Sequence, residues 1–134
     1  MIIDDDLNHL ASTRDILELE GYKVHTHHLP FGATHAAGET QPDLILLDIN
    51  MPGLSGEILS TLLGGNRRTF RIPVVFYSSN DEDSLRQSVV RHGVLGYICK
   101  GDVSALKRRV KMYLAGDAGG GGTSGFSNPV MQPG

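Results

Sequence analysis

Short runs of apolar and β-branched residues alternate along the chain with amphipathic stretches about 8 to 14 residues long, the pattern of repeated strand–helix units around a parallel sheet. Five strands and five helices are predicted. The strands are Met1 to Ile3, Lys23 to Thr26, Asp43 to Leu47, Pro73 to Tyr77 and Gly96 to Cys99. The third (DLILL) and fourth (PVVFY) are continuously apolar, as strands covered by helices on both faces should be. The first helix, Asn8 to Glu20, carries Leu10 and Leu17 one heptad apart with Ile16 beside them. The third, Glu57 to Leu63, carries Ile58, Leu59, Leu62 and Leu63. Leu85 and Val89 mark the fourth, which ends at Gly93, and Val103, Leu106, Val110 and Leu114 mark the fifth. The second, Ala33 to Glu39, follows Pro30 and Gly32 and contains Gly38, so a short or irregular element is expected there. The expected fold is α/β: a flavodoxin-like, doubly wound, five-stranded parallel sheet of order 2-1-3-4-5 flanked by five helices.

In such a sheet, ligands gather outside the carboxyl ends of the strands where the strand order reverses, between strands one and three. Asp4 and Asp5 stand where strand one ends, and Asp48 where strand three ends. Two like charges about 5 Å apart at an effective dielectric of about 20 repel by roughly 3 kcal/mol, so three carboxylates in one crevice call for a counter-charge. Mg²⁺ supplies it, taking oxygen ligands from carboxylates, a carbonyl and waters while leaving room for a phosphate oxygen. A carboxylate beside that ion can act as a nucleophile toward phosphorus. Ser78 and Lys100, at the ends of strands four and five, are placed to add a hydroxyl and a fixed cation.

Composition narrows the reading. The chain has 134 residues, enough for one ordinary domain, and 7 of its 17 glycines fall in residues 116–134. Residues 1–115 are therefore expected to fold, with 116–134 a Gly-rich flexible tail or linker. A net charge of −3 gives no global basic field for nucleic acid or a membrane surface. The lone cysteine, Cys99, lies on an apolar strand and is expected in the core. No stretch approaches the roughly 20 apolar residues of a membrane span, and no signal peptide is visible, which points to the cytoplasm.

With these residues placed, the chain from Met1 to about Ala115 resembles the receiver domain of bacterial two-component response regulators. The run LLDINMPGLSG, Leu46 to Gly56, is similar to the family's phosphoacceptor motif, with Met51, Pro52 and Gly56 third, fourth and eighth after Asp48. The acid pair lies 43 and 44 residues upstream of Asp48, the serine 30 and the lysine 52 downstream, in the family's order. The resemblance implies that Asp48 is the phosphoacceptor, that Asp5, Asp48 and the backbone carbonyl of Asn50 ligate Mg²⁺, and that Asp4 partners the ion from behind those ligands or through a water. It makes Ser78 the switch hydroxyl, Tyr97 the aromatic switch and Lys100 the partner of the phosphoryl oxygens. It implies a sensor histidine kinase or phosphotransfer protein as donor and a downstream effector domain or protein as target. The face of helix four, strand five and helix five would serve a homodimer or partner, with no direct nucleic-acid contact and no enzymatic activity beyond slow Mg²⁺-dependent self-dephosphorylation.

Three departures from the family pattern stand out. Gly101 follows Lys100 where the family usually has proline, often with a cis peptide, so a loop of different shape is expected. The first strand has only three residues before Asp4. His25, His27, His28 and His35 crowd a region that is ordinarily a plain loop and helix, and scattered surface histidines are a simpler account of them than a metal site. Asp6 reads as a helix-start acid, and Lys107, Arg108, Arg109 and Lys111 as the wet face of the last helix. Two other functions share these residues: a phosphorylation-independent pseudo-receiver acting through protein contacts, and an aspartyl-phosphate hydrolase. The latter usually needs an acid two residues after the nucleophile, where Asn50 stands.

Overall fold

The computed structural model describes residues 1–116, and the predicted tail otherwise lies outside the described residues. The elements run β1 (Ile2–Ile3), α1 (Leu7–Leu19), β2 (Thr26–His27), α2 (Ala33–Thr40), β3 (Ile45–Leu47), α3 (Gly56–Gly64), β4 (Val74–Ser78), α4 (Glu82–His92), β5 (Gly96–Cys99) and α5 (Val103–Leu114). All the strands are parallel, in the order β2-β1-β3-β4-β5. This is the predicted doubly wound topology, with its reversal between β1 and β3.

A side-chain cap starts every described helix except α2. Asp6, Ser55, Asp81 and Asp102 cap α1, α3, α4 and α5, each accepting from a backbone N–H three residues on. Asp6 is thus the expected helix-start acid. The weakly patterned α2 is the short element expected, eight residues long: Gly32 leads into it at φ +80°, and Ala33 and Ala37 bury its inner face.

The second strand differs from the sequence expectation of Lys23 to Thr26. It is Thr26–His27, because Ile2 and Ile3 set the ladder by pairing with those two residues, and Ile2 N–H donates to the carbonyl of His25 at 2.8 Å. Lys23 and Val24 have no facing residue in β1 to pair with.

Strand alternation divides the apolar side chains into two cores. Ile3, Ile45, Leu47 and Phe76 pack with Ala33, Ala37, Leu59, Leu63 and Leu85 of α2, α3 and α4. Ile2, Leu46, Val75, Tyr77 and Ile98 pack with Leu10, Leu17, Leu106, Val110 and Tyr113 of α1 and α5. Cys99 is only half-buried at the edge of the first core, short of the interior position expected for it, and partial burial pushes its thiol pKa up. Among the described residues, no helix is long and apolar enough to cross a membrane.

Candidate functional site

Three carboxylates meet at the carboxyl ends of β1 and β3. Asp4, Asp5 and Asp48 each offer an oxygen within 4.8 Å of the others. Asp4 is fully buried, Asp48 is 5% exposed and Asp5 is half-buried, so the pocket opens to solvent on the Asp5 side. Asp48 is delivered by β3, whose backbone is pinned to β1 through its N–H to the carbonyl of Ile3 at 2.9 Å.

Lys100, directly after β5, spans the pocket. Its Nζ lies 2.8 Å from Asp4 Oδ2 and 3.6 Å from Asp48 Oδ1. Burial opposes the charge on this ammonium, yet the contacts with Asp4 and Asp48 outweigh it and raise its pKa. Asp48 goes the other way: burial, reinforced by Asp4 and Asp5 and only partly offset by Lys100, pushes its carboxyl up to about 6. The donor set therefore fits a hard divalent cation. It is an all-oxygen cluster with more negative charge than its single nearby ammonium neutralises.

The opposite wall is polar and uncharged. Ser78 ends β4 fully buried, and its Oγ accepts from the Asn80 backbone N–H at 3.2 Å. The Asn50 amide reaches across from the β3–α3 loop, donating to Asn80 Oδ1 at 2.8 Å and to Ser78 Oγ at 3.4 Å. The Asn50 backbone N–H also points at Asp48 Oδ1, 3.3 Å away. Behind Asp48 the loop folds back tightly, with Gly56 N–H on the carbonyl of Ile49 at 2.9 Å. A Cβ at Gly56 would stand 1.9 Å from the Asp48 carbonyl oxygen, so only glycine fits there.

Tyr97 is on β5 but not in the pocket. Its hydroxyl donates to Glu82 Oε2 at 2.5 Å, and the Arg109 guanidinium lies 5.1 Å from its ring centroid. Arg109 thus leaves the wet face expected for the α5 bases, whereas Lys107, Arg108 and Lys111 stay exposed. The Gly101 turn is built on a left-handed residue, φ +98°, and no peptide bond among the described residues is cis. Asp102 then caps α5 by accepting from Ala105 N–H at 2.9 Å.

The histidines do not gather. Among the described residues the possible metal-holding group is the aspartate cluster, while His27 Nε2 is occupied by the carbonyl of Phe31 at 3.0 Å, and His28 and His35 are exposed. Two features of the site were not foreseen. Asn80 stands two residues after Ser78, as Asn50 does after Asp48, and that spacing was the available signal. A string of side chains also runs beneath Asp4: His9 Nδ1 is 3.6 Å from Asp4 Oδ2 and 3.2 Å from Thr13 Oγ1, which is 3.3 Å from the Tyr77 hydroxyl.

The model of the response regulator receiver domain matches residues 1–111. The chain belongs to that family. Two curated relatives lie at the same level of identity. The receiver domain is 33% identical over 100 residues to the transcriptional regulatory protein KdpE of Mycobacterium tuberculosis, covering 75% of this chain but only 43% of KdpE. It is 33% identical over 123 residues to the polar-differentiation response regulator DivK of Brucella ovis, covering 88% of this chain and 96% of DivK. The chain thus spans less than half of one relative and nearly all of the other. Its fold also matches the receiver domain of the Pseudomonas aeruginosa sensor histidine kinase PA1611, whose crystal structure has a magnesium ion coordinated in the active site cleft. That match has a TM-score of 0.75 at 20% identity and covers 85% of this chain and 94% of the other. The receiver domain therefore belongs to two-component signalling, with its acidic pocket where the topology predicts a ligand.

Proposed function

We propose that this receiver domain takes a phosphoryl group onto Asp48 from a phosphohistidine of a sensor histidine kinase or phosphotransfer protein, and that the modified state signals to a downstream effector. An Asp48 carboxylate oxygen forms the new P–O bond as the P–N bond of the donor breaks and its imidazole leaves. Asp5, Asp48 and the Asn50 carbonyl would hold Mg²⁺, with Asp4 behind them, and the bound ion supplies positive charge against the transferring phosphoryl oxygens.

The chain's own groups do the rest. Lys100 supplies a fixed cation to the oxygens added at Asp48, and Ser78 supplies a hydroxyl on the far side. Phosphorylation adds about −1.5 to −2 charges and strong acceptors, which favour movement of the Ser78 loop and of Tyr97. The α4–β5–α5 face carries the contact with an effector or a second copy. Turnover is confined to slow self-dephosphorylation, and the setting is the cytoplasm.

The observation that carries this reading is Lys100 shared between Asp4 and Asp48, with Ser78 tied to the same pocket through Asn50. Incubation with acetyl phosphate and Mg²⁺ should add one phosphoryl mass to the chain, and Asp48→Asn and Asp48→Ala should abolish it. No mass shift at saturating donor and metal would overturn the reading.

A further inference from the structure

Around Tyr97 the backbone and the side chain are restrained by different groups. Its carbonyl accepts from Arg109 Nη1 at 3.2 Å and from the Tyr113 hydroxyl at 3.3 Å. Next to it, Gly96 has no room for a side chain, since a Cβ would lie 2.2 Å from the Tyr113 oxygen. The main chain of β5 is therefore fixed here, and any movement of Tyr97 is rotation of its side chain.

That rotation is opposed from outside. The Tyr97 hydroxyl donates to Glu82 Oε2 at 2.5 Å, and Arg86 Nη2 holds the same oxygen at 3.3 Å while its Nη1 reaches Asp83 at 2.9 Å. The Tyr97 hydrogen bond keeps the Glu82 carboxyl below its usual range, with Arg86 acting in the same direction. Arg109 lies over the ring. Glu82 is in the first turn of α4, whose cap Asp81 accepts from Ser84 N–H at 2.8 Å and from Ser84 Oγ at 3.1 Å. Only three residues separate Ser78 from Glu82, so a displacement of the Ser78 loop is transmitted to the carboxylate that holds Tyr97.

We propose that Glu82 and Arg109 are positioning residues that latch Tyr97 in its outward orientation, and that the strength of this latch sets how readily the pocket accepts a phosphoryl group. The proposal rests on the reading of Tyr97 as the switch given above. Contacts made only in the outward state stabilise that state alone, and by linkage they oppose whatever ligand favours the other. The latch is exposed, so its effect is a modest bias on the equilibrium.

Beryllofluoride with Mg²⁺ is the probe. Titrated by NMR, Glu82→Ala should tighten the apparent Kd about two- to fivefold, the range available to an exposed charged contact. Glu82→Gln, which keeps an acceptor for the phenol, should restore most of the wild-type value. In a Tyr97→Phe background, with no hydroxyl to hold, Glu82→Ala should change nothing. An unchanged Kd in Glu82→Ala, or an equal shift in the Tyr97→Phe background, would overturn the latch. The ring signal of Tyr97 in the ligand-free protein gives a second reading through its NOE contacts, because in Glu82→Ala these should redistribute toward the Ser78 loop, and an unchanged contact pattern would mark a static tyrosine. If no variant, nor the wild type, responds to beryllofluoride, the function reading fails, and the ring signal still decides the latch.

Discussion

Asp48 sits among opposed influences, with burial and two neighbouring acids favouring its protonated form and Lys100 favouring its charge. With its carboxyl raised from 3.8 to about 6, the folded metal-free protein keeps a proton that the unfolded chain has released over that interval. Its stability should therefore fall as pH rises from about 4 to 6. The proposed Mg²⁺ binding and phosphorylation need the carboxylate, so both should weaken as pH drops through about 6, measurable by titration calorimetry and by acetyl phosphate labelling. Asp48→Asn removes one of the crowded charges and keeps the shape. It should raise the metal-free Tm at pH 7 by about 4–8 °C for each kcal/mol of relieved repulsion, and it should erase the Mg²⁺ response.

At the scale of elements, the β3–α3 connection is the least forgiving. Gly56→Ala drives a Cβ into the backbone carbonyl of Asp48, which cannot swing aside as a side chain would, so it should cost more than about 2 kcal/mol and lower the labelling rate. Urea unfolding and acetyl phosphate kinetics would measure both. Much of this architecture was legible beforehand. The runs DLILL and PVVFY announce buried strands, and the acids, serine and lysine stand at strand ends, so topology alone brings them together. Thr26–His27 was not legible, because its residues carry no apolar alternation and its register is dictated by β1. The short helix at Ala33 was legible, and its stability comes from Ala33 and Ala37 packing on the sheet and little from propensity. Asn80 reads locally as a turn residue in SSND, and its bond to Asn50 spans 30 positions. Thr13 and Tyr77 are 64 positions apart, a pairing no local pattern encodes. The outward hold on Tyr97 was hidden for the same reason, since Glu82 and Arg109 come from different helices.

Across the whole molecule, the sheet works as a partition between two separately packed interiors. The alternation that sends Ile2, Leu46 and Ile98 toward α1 and α5 carries on, two residues later, to Asp4, Asp48 and Lys100. The opposite phase, through Phe76, leads to Ser78, and Tyr97 packs against that same core. The carboxylates and Lys100 are therefore rooted in one interior, and Ser78 and Tyr97, the hydroxyls of the proposed switch, in the other. A cavity on either side should cost about 2–5 kcal/mol, yet the two losses should have different consequences. Leu106→Ala should weaken Mg²⁺ affinity with little change in the Tyr97 ring signal, and Leu85→Ala should disturb that signal while leaving the metal affinity close to normal. Calorimetry and NMR on the same pair of proteins would check this. Damage to such a domain then has an address: which side of the sheet is struck decides whether the message fails to be written or fails to be read.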